Sequence, residues 1–194
     1  MDVENKIRPL DELARAVAAL KAQGRRVVLC HGVFDLLHIG HIRYFRQARG
    51  HGDALVVTLT PDVHVDKGPF RPAFPERLRL EAVASLDVVD FAALNQWPTA
   101  EELLRLVRPD VYVKGKEFEG IEQDPTGKMA REAAIARELG IELAFAGDIV
   151  FSSSRLLNEH LSNLPREMDD FVRVFRKRHS LAEVEDLLGA MGRM

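Results

Sequence analysis

The sequence holds a single cysteine, Cys30, among 194 residues. That leaves nothing for a disulfide framework or a cysteine-rich zinc module. No run approaches the roughly 18 consecutive apolar residues that a membrane-spanning helix needs. The opening stretch, MDVENKIRPLDEL, is too polar for a secretory leader. Neither sign of charge dominates: 27 Lys and Arg stand against 30 Asp and Glu, a net charge of −3. That balance argues against a basic nucleic-acid surface and against an acidic solvating tail. Internal repeats, low-complexity tracts and the HExxH zinc motif are also missing. No GxGxxG follows the first strand, which argues against a dehydrogenase. The stretch from Gly120 to Lys128 fails as a P-loop. Six residues separate its glycines, and Met129 stands where Ser or Thr would bind magnesium. The absences leave a soluble chain, expected in the cytoplasm, with no membrane and no nucleic acid as partner.

What is present is alternation. Leu10, Leu13, Val17 and Leu20 share one face at helical spacing over residues 10–23, and Gly24 ends that helix. Residues 26–30, RVVLC, form a short β-branched run of the kind a buried strand uses. Further strands are expected at 54–60, around Val88, Val89 and Phe91, at 110–114 and at 141–146. Helices are expected from near His41, at 76–86, at 99–107 with Thr99 as N-cap, and at 126–139 up to Gly140. Five strands alternating with helices predict an α/β fold, a Rossmann-like five-stranded parallel sheet with helices on both faces. Residues 163–194 read as helical with no strand. The expected division is therefore a domain over 1–162 and a C-terminal helical annex, or a linker to a further domain, over 163–194.

In such sheets ligands bind at the carboxyl ends of strands, near the point where strand order reverses. The segment after the first strand is His31-Gly32-Val33-Phe34-Asp35-Leu36-Leu37-His38-Ile39-Gly40-His41. Two histidines three apart, with glycine between, stand where a strand hands over to a helix. Gly40 permits close backbone approach, and the helix opening near His41 offers unpaired N–H groups and a positive dipole end. Imidazoles there can donate hydrogen bonds to phosphate oxygens as charge grows in a transition state. Gly32 leaves space for backbone to lie against a nucleotide. As a metal pair, His38 and His41 lack a third ligand at familiar spacing, so no metal site is expected from protein residues.

The string GVFDLLHIGHI (32–42) resembles the signature of the HxGH nucleotidyltransferase superfamily. The branch it resembles is cytidylyltransferase-like, with glycerol-3-phosphate cytidylyltransferases and heptose-1-phosphate adenylyltransferases among its members. Four later segments extend the likeness across most of 25–160. They are Lys67 in VDKGPFRP, the helix PERLRLEAVASL, VYVKGKEF (111–118) and FSSSRLLN (151–158). The resemblance implies attack by a substrate phosphate oxygen on the α-phosphorus of a nucleoside triphosphate, with pyrophosphate released. It implies catalytic roles for His38, His41 and Lys67. It brings Gly32, Phe34, Asp35 and Gly40, the turn Lys114, Gly115 and Glu117, and Ser152, Ser153, Ser154 and Arg155 to the nucleotide. Arg77 is brought to the acceptor phosphate, and magnesium to the triphosphate.

For several of these residues a plainer reading stands beside the functional one. Asp35 either positions the triphosphate loop, receives magnesium through water, or caps its own turn. Lys114 is otherwise a solvated strand end, Arg77 and Arg79 a charged helix face, the serines an N-cap run, and Cys30 a buried strand residue. The HIGH string also occurs in class I aminoacyl-tRNA synthetases, but no KMSKS string accompanies it. The function expected is transfer of a nucleotidyl group to a sugar- or polyol-phosphate, with adenylyl transfer to a heptose-1-phosphate-like acceptor preferred. The alternatives are a cytidylyltransferase and a nucleotide-sensing module without turnover. A homodimer, and a fused or partner sugar kinase, complete the expectation.

Overall fold

The computed structural model describes residues 2–66, 71–119, 127–147 and Val174. The chain divides into two compact units, Met1–Ser153 and Ser154–Met194. Apart from Val174, the helical annex expected over 163–194 lies outside the described residues, as do Lys67, Ser152, Ser153, Ser154 and Arg155.

In the first unit, α1 (Val3–Lys6) and α2 (Leu10–Ala22) precede β1 (Val27–Gly32), α3 (Ile39–Arg49) and β2 (Ala54–Leu59). Then come α4 (Glu76–Ala84), β3 (Phe91–Leu94), α5 (Glu101–Val107), β4 (Val111–Gly115), α6 (Lys128–Glu138) and β5 (Glu142–Ala146). The five strands form one sheet in the order β3-β2-β1-β4-β5, every neighbouring pair parallel. Order reverses between β1 and β4, which places the switch point where the loop after β1 meets the turn after β4.

The side-chain alternation of a strand sorts the core into two layers. Val27 and Leu29 of β1 pack with Leu13 and Val17 of α2 and Leu103 and Leu104 of α5, all fully buried. Val28 and Cys30 point the other way, to Phe45 and Ala48 of α3 and Val83 and Ala84 of α4. Buried Leu and Val side chains of this kind each contribute about 1.5–3 kcal/mol of transfer free energy. Helices therefore cover both faces, as the alternation predicts.

Three local expectations need correction. β1 runs two residues further than the apolar run, because His31 and Gly32 still pair with Thr58 and Leu59. Val88 and Val89 precede β3 rather than belonging to it. The Val89 N–H bonds back to the Leu86 carbonyl, and Asp90 starts the pairing through its N–H to the Leu55 carbonyl. Thr99 does not cap α5; Ala100 holds that position. The Ala100 N–H donates instead to Oε1 of Glu132 on α6, at 3.0 Å, so a carboxylate from another helix supplies what a local cap would have.

Candidate active site

His38 sits at the N-cap of α3 in extended conformation, and its Nδ1 accepts the Gly40 N–H at 3.1 Å. A ring nitrogen that accepts carries no proton, so the neutral His38 ring keeps its proton on Nε2. His41 lies one turn on, its ring stacked on His38 with centroids 3.9 Å apart and planes 24° apart. The spacing of three residues produces this pairing, since residues i and i+3 share a helix face. α2, α4 and α5 all carry acidic residues in their first turns, whereas α3, like α6, carries none. The positive end of the α3 dipole is thus left for an incoming anion. On its other flank the Tyr44 hydroxyl donates to the Val113 carbonyl at 2.6 Å, which fastens α3 to β4 across the switch point.

The loop before His38 is tightly organised. Phe34 adopts a left-handed backbone conformation, φ 47°. Its ring meets His41 edge-on at 5.4 Å and Phe45 at 4.9 Å. A Cβ at position 32 would stand 3.1 Å from that ring. The small residue at 32 therefore makes room for Phe34, a packing reason beside the one expected from a nucleotide. Asp35 is 2% exposed, and both its oxygens accept bonds from protein: Arg71 Nε and the Ala73 N–H, each at 2.5 Å. It neither caps its own turn nor offers an open carboxylate to a metal. Among the described residues no group of three His, Cys, Asp or Glu side chains could hold a metal ion.

Arg79 corrects the reading of a charged helix face. It is 2% exposed and donates to the carbonyls of Phe74 at 3.0 Å and Thr60 at 2.9 Å, to Val33, and to Asp62 Oδ1 at 2.6 Å. Asp62 and Glu76 cap each other's N–H groups at 3.0 and 2.8 Å. Arg77, by contrast, is exposed on α4.

Across the switch point stands a second cluster. Lys114 is no solvated strand end: its Nζ lies 3.1 Å from Glu132 Oε2, and the two side chains are 12% and 5% exposed. The ammonium also lies 5.5 Å from the Tyr112 ring and 5.0 Å from the Phe118 ring. The Tyr112 hydroxyl donates to the same Glu132 oxygen at 2.8 Å. His31, the strand residue beside them, contacts Thr58 Oγ1 through Nδ1 at 3.0 Å and Thr60 Oγ1 through Nε2 at 3.4 Å. Burial and then the Lys114 charge push the His31 pKa down to about 4, so its ring is neutral at pH 7. Burial alone would raise the Glu132 carboxyl. The Lys114 charge leads the opposing effects, and together they hold it below the usual carboxylate range. Burial first, and then the Glu132 charge, push the Tyr112 phenol well above its usual value. The Cys30 thiol, fully buried, is pushed up to about 12 chiefly by desolvation, which leaves it inert as a nucleophile.

The structure therefore brings His38, Gly40, His41, Phe34, Asp35 and Gly32 into one loop and helix start. Lys114 and Gly115 end the neighbouring strand, and Glu117 lies in the short helical turn that follows. Sequence reasoning missed Arg71, Tyr44 and Glu132. A signal for Glu132 existed: Lys114 lies two residues after Tyr112, so a period of two puts it on the same buried face and demands a carboxylate partner. Arg71 and Tyr44 gave none.

A family model described as cytidylyltransferase-like matches residues 29–156. The bifunctional protein HldE of Citrifermentans bemidjiense is 39% identical over 164 residues, 84% of this chain and 32% of that protein. Its counterpart in Geobacter sulfurreducens is 42% identical over 115 residues, 58% of this chain and 24% of that protein. The chain thus spans a third or less of the length of these relatives. Among solved structures, the lipopolysaccharide core biosynthesis protein of Thermoplasma volcanium matches with TM-score 0.54 and 30% identity, covering 65% of this chain and 99% of that one. The pantoate-beta-alanine ligase of Francisella tularensis matches with TM-score 0.56 over 90% of this chain and 79% of that one. At 14% identity it shares the fold alone.

Proposed function

The chain belongs to the cytidylyltransferase-like family of nucleotidyltransferases, and on that premise we propose that it transfers a nucleotidyl group to a sugar- or polyol-phosphate. Adenylyl transfer to a heptose-1-phosphate-like acceptor is preferred, and a cytidylyltransferase is the runner-up. The preference rests on the HldE relatives, which are 39% and 42% identical to this chain over the matched residues. In the reaction an acceptor phosphate oxygen forms a bond to the α-phosphorus, and the α–β bridging bond breaks to release pyrophosphate. The acceptor phosphate is already ionised at pH 7, so positioning and charge stabilisation carry the rate.

The observation that carries this reading is the stacked histidine pair at the acid-free start of α3. His38, with Nε2 as its donor, and His41 would hold the phosphates around the reacting centre. Gly40 and the first N–H groups of α3 would complete the cradle. Lys67 would neutralise charge on the α-phosphate or acceptor phosphate. Ser152, Ser153 and Ser154, with Arg155, would hold the distal phosphates, and Arg77 the acceptor. Gly115 and Glu117 would border the nucleoside, and Lys114 would act on that turn from beneath. Asp35, with both oxygens engaged by protein, does not fit a magnesium ligand. We place magnesium with the triphosphate as part of the substrate and route no step through a protein-bound ion.

We further place the reaction in the cytoplasm, in a homodimer, beside a fused or separate sugar kinase. No helix among the described residues is long and apolar enough to cross a membrane. A pyrophosphate-release screen tests the function: four nucleoside triphosphates against sugar 1-phosphates, glycerol 3-phosphate and carboxylates. Release with a phosphate acceptor is expected. Release only with carboxylates, or tight nucleotide binding with no release at all, overturns the proposal. A monomer by light scattering removes the dimer.

A further inference from the structure

We infer that Arg71, through its pair with Asp35, is a positioning residue for the two histidines. Arg79 serves the same loop from the Val33 side. The inference rests on the function proposed above and goes beyond it. It starts from Phe34, whose φ of 47° is a conformation that a bulky side chain adopts only when its surroundings enforce it. Both neighbours of Phe34 are fastened. The Val33 carbonyl accepts from Arg79, whose guanidinium also takes the Thr60 carbonyl and Asp62. Asp35 accepts from Arg71 and from the Ala73 N–H, and neither partner of the Arg71–Asp35 pair is more than 7% exposed at its side chain.

Arg71 comes from the segment between β2 and α4, and Arg79 from the first turns of α4 itself. Two fixed points one residue on either side of Phe34 hold its backbone in the left-handed region. The ring then packs over Gly32 and presents its edge to His41, which stacks on His38. Displacing Asp35 would release Phe34 toward an ordinary conformation and unseat the ring that backs His41. In a site that works by orientation, an error near 1 Å costs about a hundredfold. All three nitrogens of Arg79 are thus committed to protein atoms, and Arg71 is tied to Asp35 through Nε. Their effect on the reaction passes through the histidines rather than through the substrate.

Arg71 is the residue to vary, because Arg79 also ties α4 to three separate backbone carbonyls. Arg71→Gln, Asp35→Asn and the double variant are compared in the full chain with the triphosphate and acceptor that the wild type uses. Nitrogen-15 spectra of the imidazoles report the His38 tautomer and the His41 ring shift, and urea midpoints report the fold. The expected result is a fall in kcat of about ten- to a hundredfold for each single variant, with KM for the triphosphate within about twofold. The double variant should be no slower than the singles. The histidine resonances should move, while Arg71→Lys recovers part of the rate. An unchanged kcat in a folded Arg71→Gln, or unmoved histidine resonances, overturns the inference. A loss of kcat that tracks the loss of stability, or one that is additive between Arg71 and Asp35, also overturns it. If the wild type turns over no pair in the screen, the proposed function fails. The histidine spectra then still decide whether Arg71 holds the loop.

Discussion

The two sides of the switch point handle charge in opposite ways. On the α3 side, the charged groups Asp35, Arg71 and Arg79 are spent on backbone and on one another, and they shape a loop. What they leave at the start of α3 are two half-buried, stacked imidazoles and a helix dipole. On the α6 side, Lys114, Glu132, Tyr112 and His31 form a nearly dry cluster beneath the ends of β1 and β4. Desolvation and neighbouring charges there displace the titrations of His31, Tyr112 and Glu132 from their ordinary values. One side uses charge to set geometry. The other uses it to join three elements, since Glu132 binds α5 through the Ala100 N–H and β4 through Tyr112 and Lys114. A carboxylate buried with three partners is stable only while all three remain.

The contrast can be broken by substitution. The largest effect is expected on the α6 side. Glu132→Leu strands a buried ammonium and should cost about 3–5 kcal/mol in a urea titration. Adding Lys114→Met should recover most of that loss, because removing a whole buried pair is far milder than halving it. A double variant as unstable as the single one would show that the cluster's worth lies elsewhere. On the α3 side, His41→Ala should lower kcat by about 10²–10³-fold with the urea midpoint nearly unchanged. A collapse in stability instead would make the histidines structural.

Next comes pH. The His31 pKa falls from 6.5 in the unfolded chain to about 4 in the folded one. As pH drops through that window the unfolded chain takes up the proton first, so stability falls, by about 3 kcal/mol across it. Glu132, lowered from 4.5, adds to the loss at the acid end. At alkaline pH the Cys30 thiol, raised from 9.0 to about 12, acts in the opposite sense: stability falls as pH rises through that range. Stability should therefore be greatest between about pH 6.5 and 9, and His31→Asn should flatten the acid limb in a series of melts. The smallest effect belongs to the exposed Arg105–Glu138 pair. Arg105→Ala should leave both melting and turnover where they were.

Much of the fold could be read from the chain because its signals are periodic. Leu10, Leu13 and Val17 on one helix face, and the β-branched runs at 26–30 and 54–60, place helices and strands without further help. The strand order did not follow from them, since nothing local says that β4 lies beside β1. The histidine loop was legible because glycine and histidine at fixed spacing are chemically distinctive. Arg79 was not: an arginine between leucines on an amphipathic helix looks solvated until tertiary packing supplies four acceptors. Glu132 was half hidden: Tyr112 and Lys114 at a period of two call for a buried carboxylate, but Ala100, Tyr112 and Lys114 lie 32, 20 and 18 residues from it, so nothing local says which acid answers. Polar groups whose partners are distant in sequence carry no local pattern that names the partner.

Cys30 has a practical consequence. Its side chain lies on the face of the central strand that α3 and α4 cover, with no exposed surface. A thiol reagent can reach it only when the helix layer over that face, α3 and α4, lifts from the sheet or the domain unfolds. Since the chain has no other cysteine, the rate of its labelling counts openings of the core over β1. The protein thus carries a built-in stopwatch for its own breathing. Added nucleotide that braces the switch point should slow that stopwatch even where no product forms.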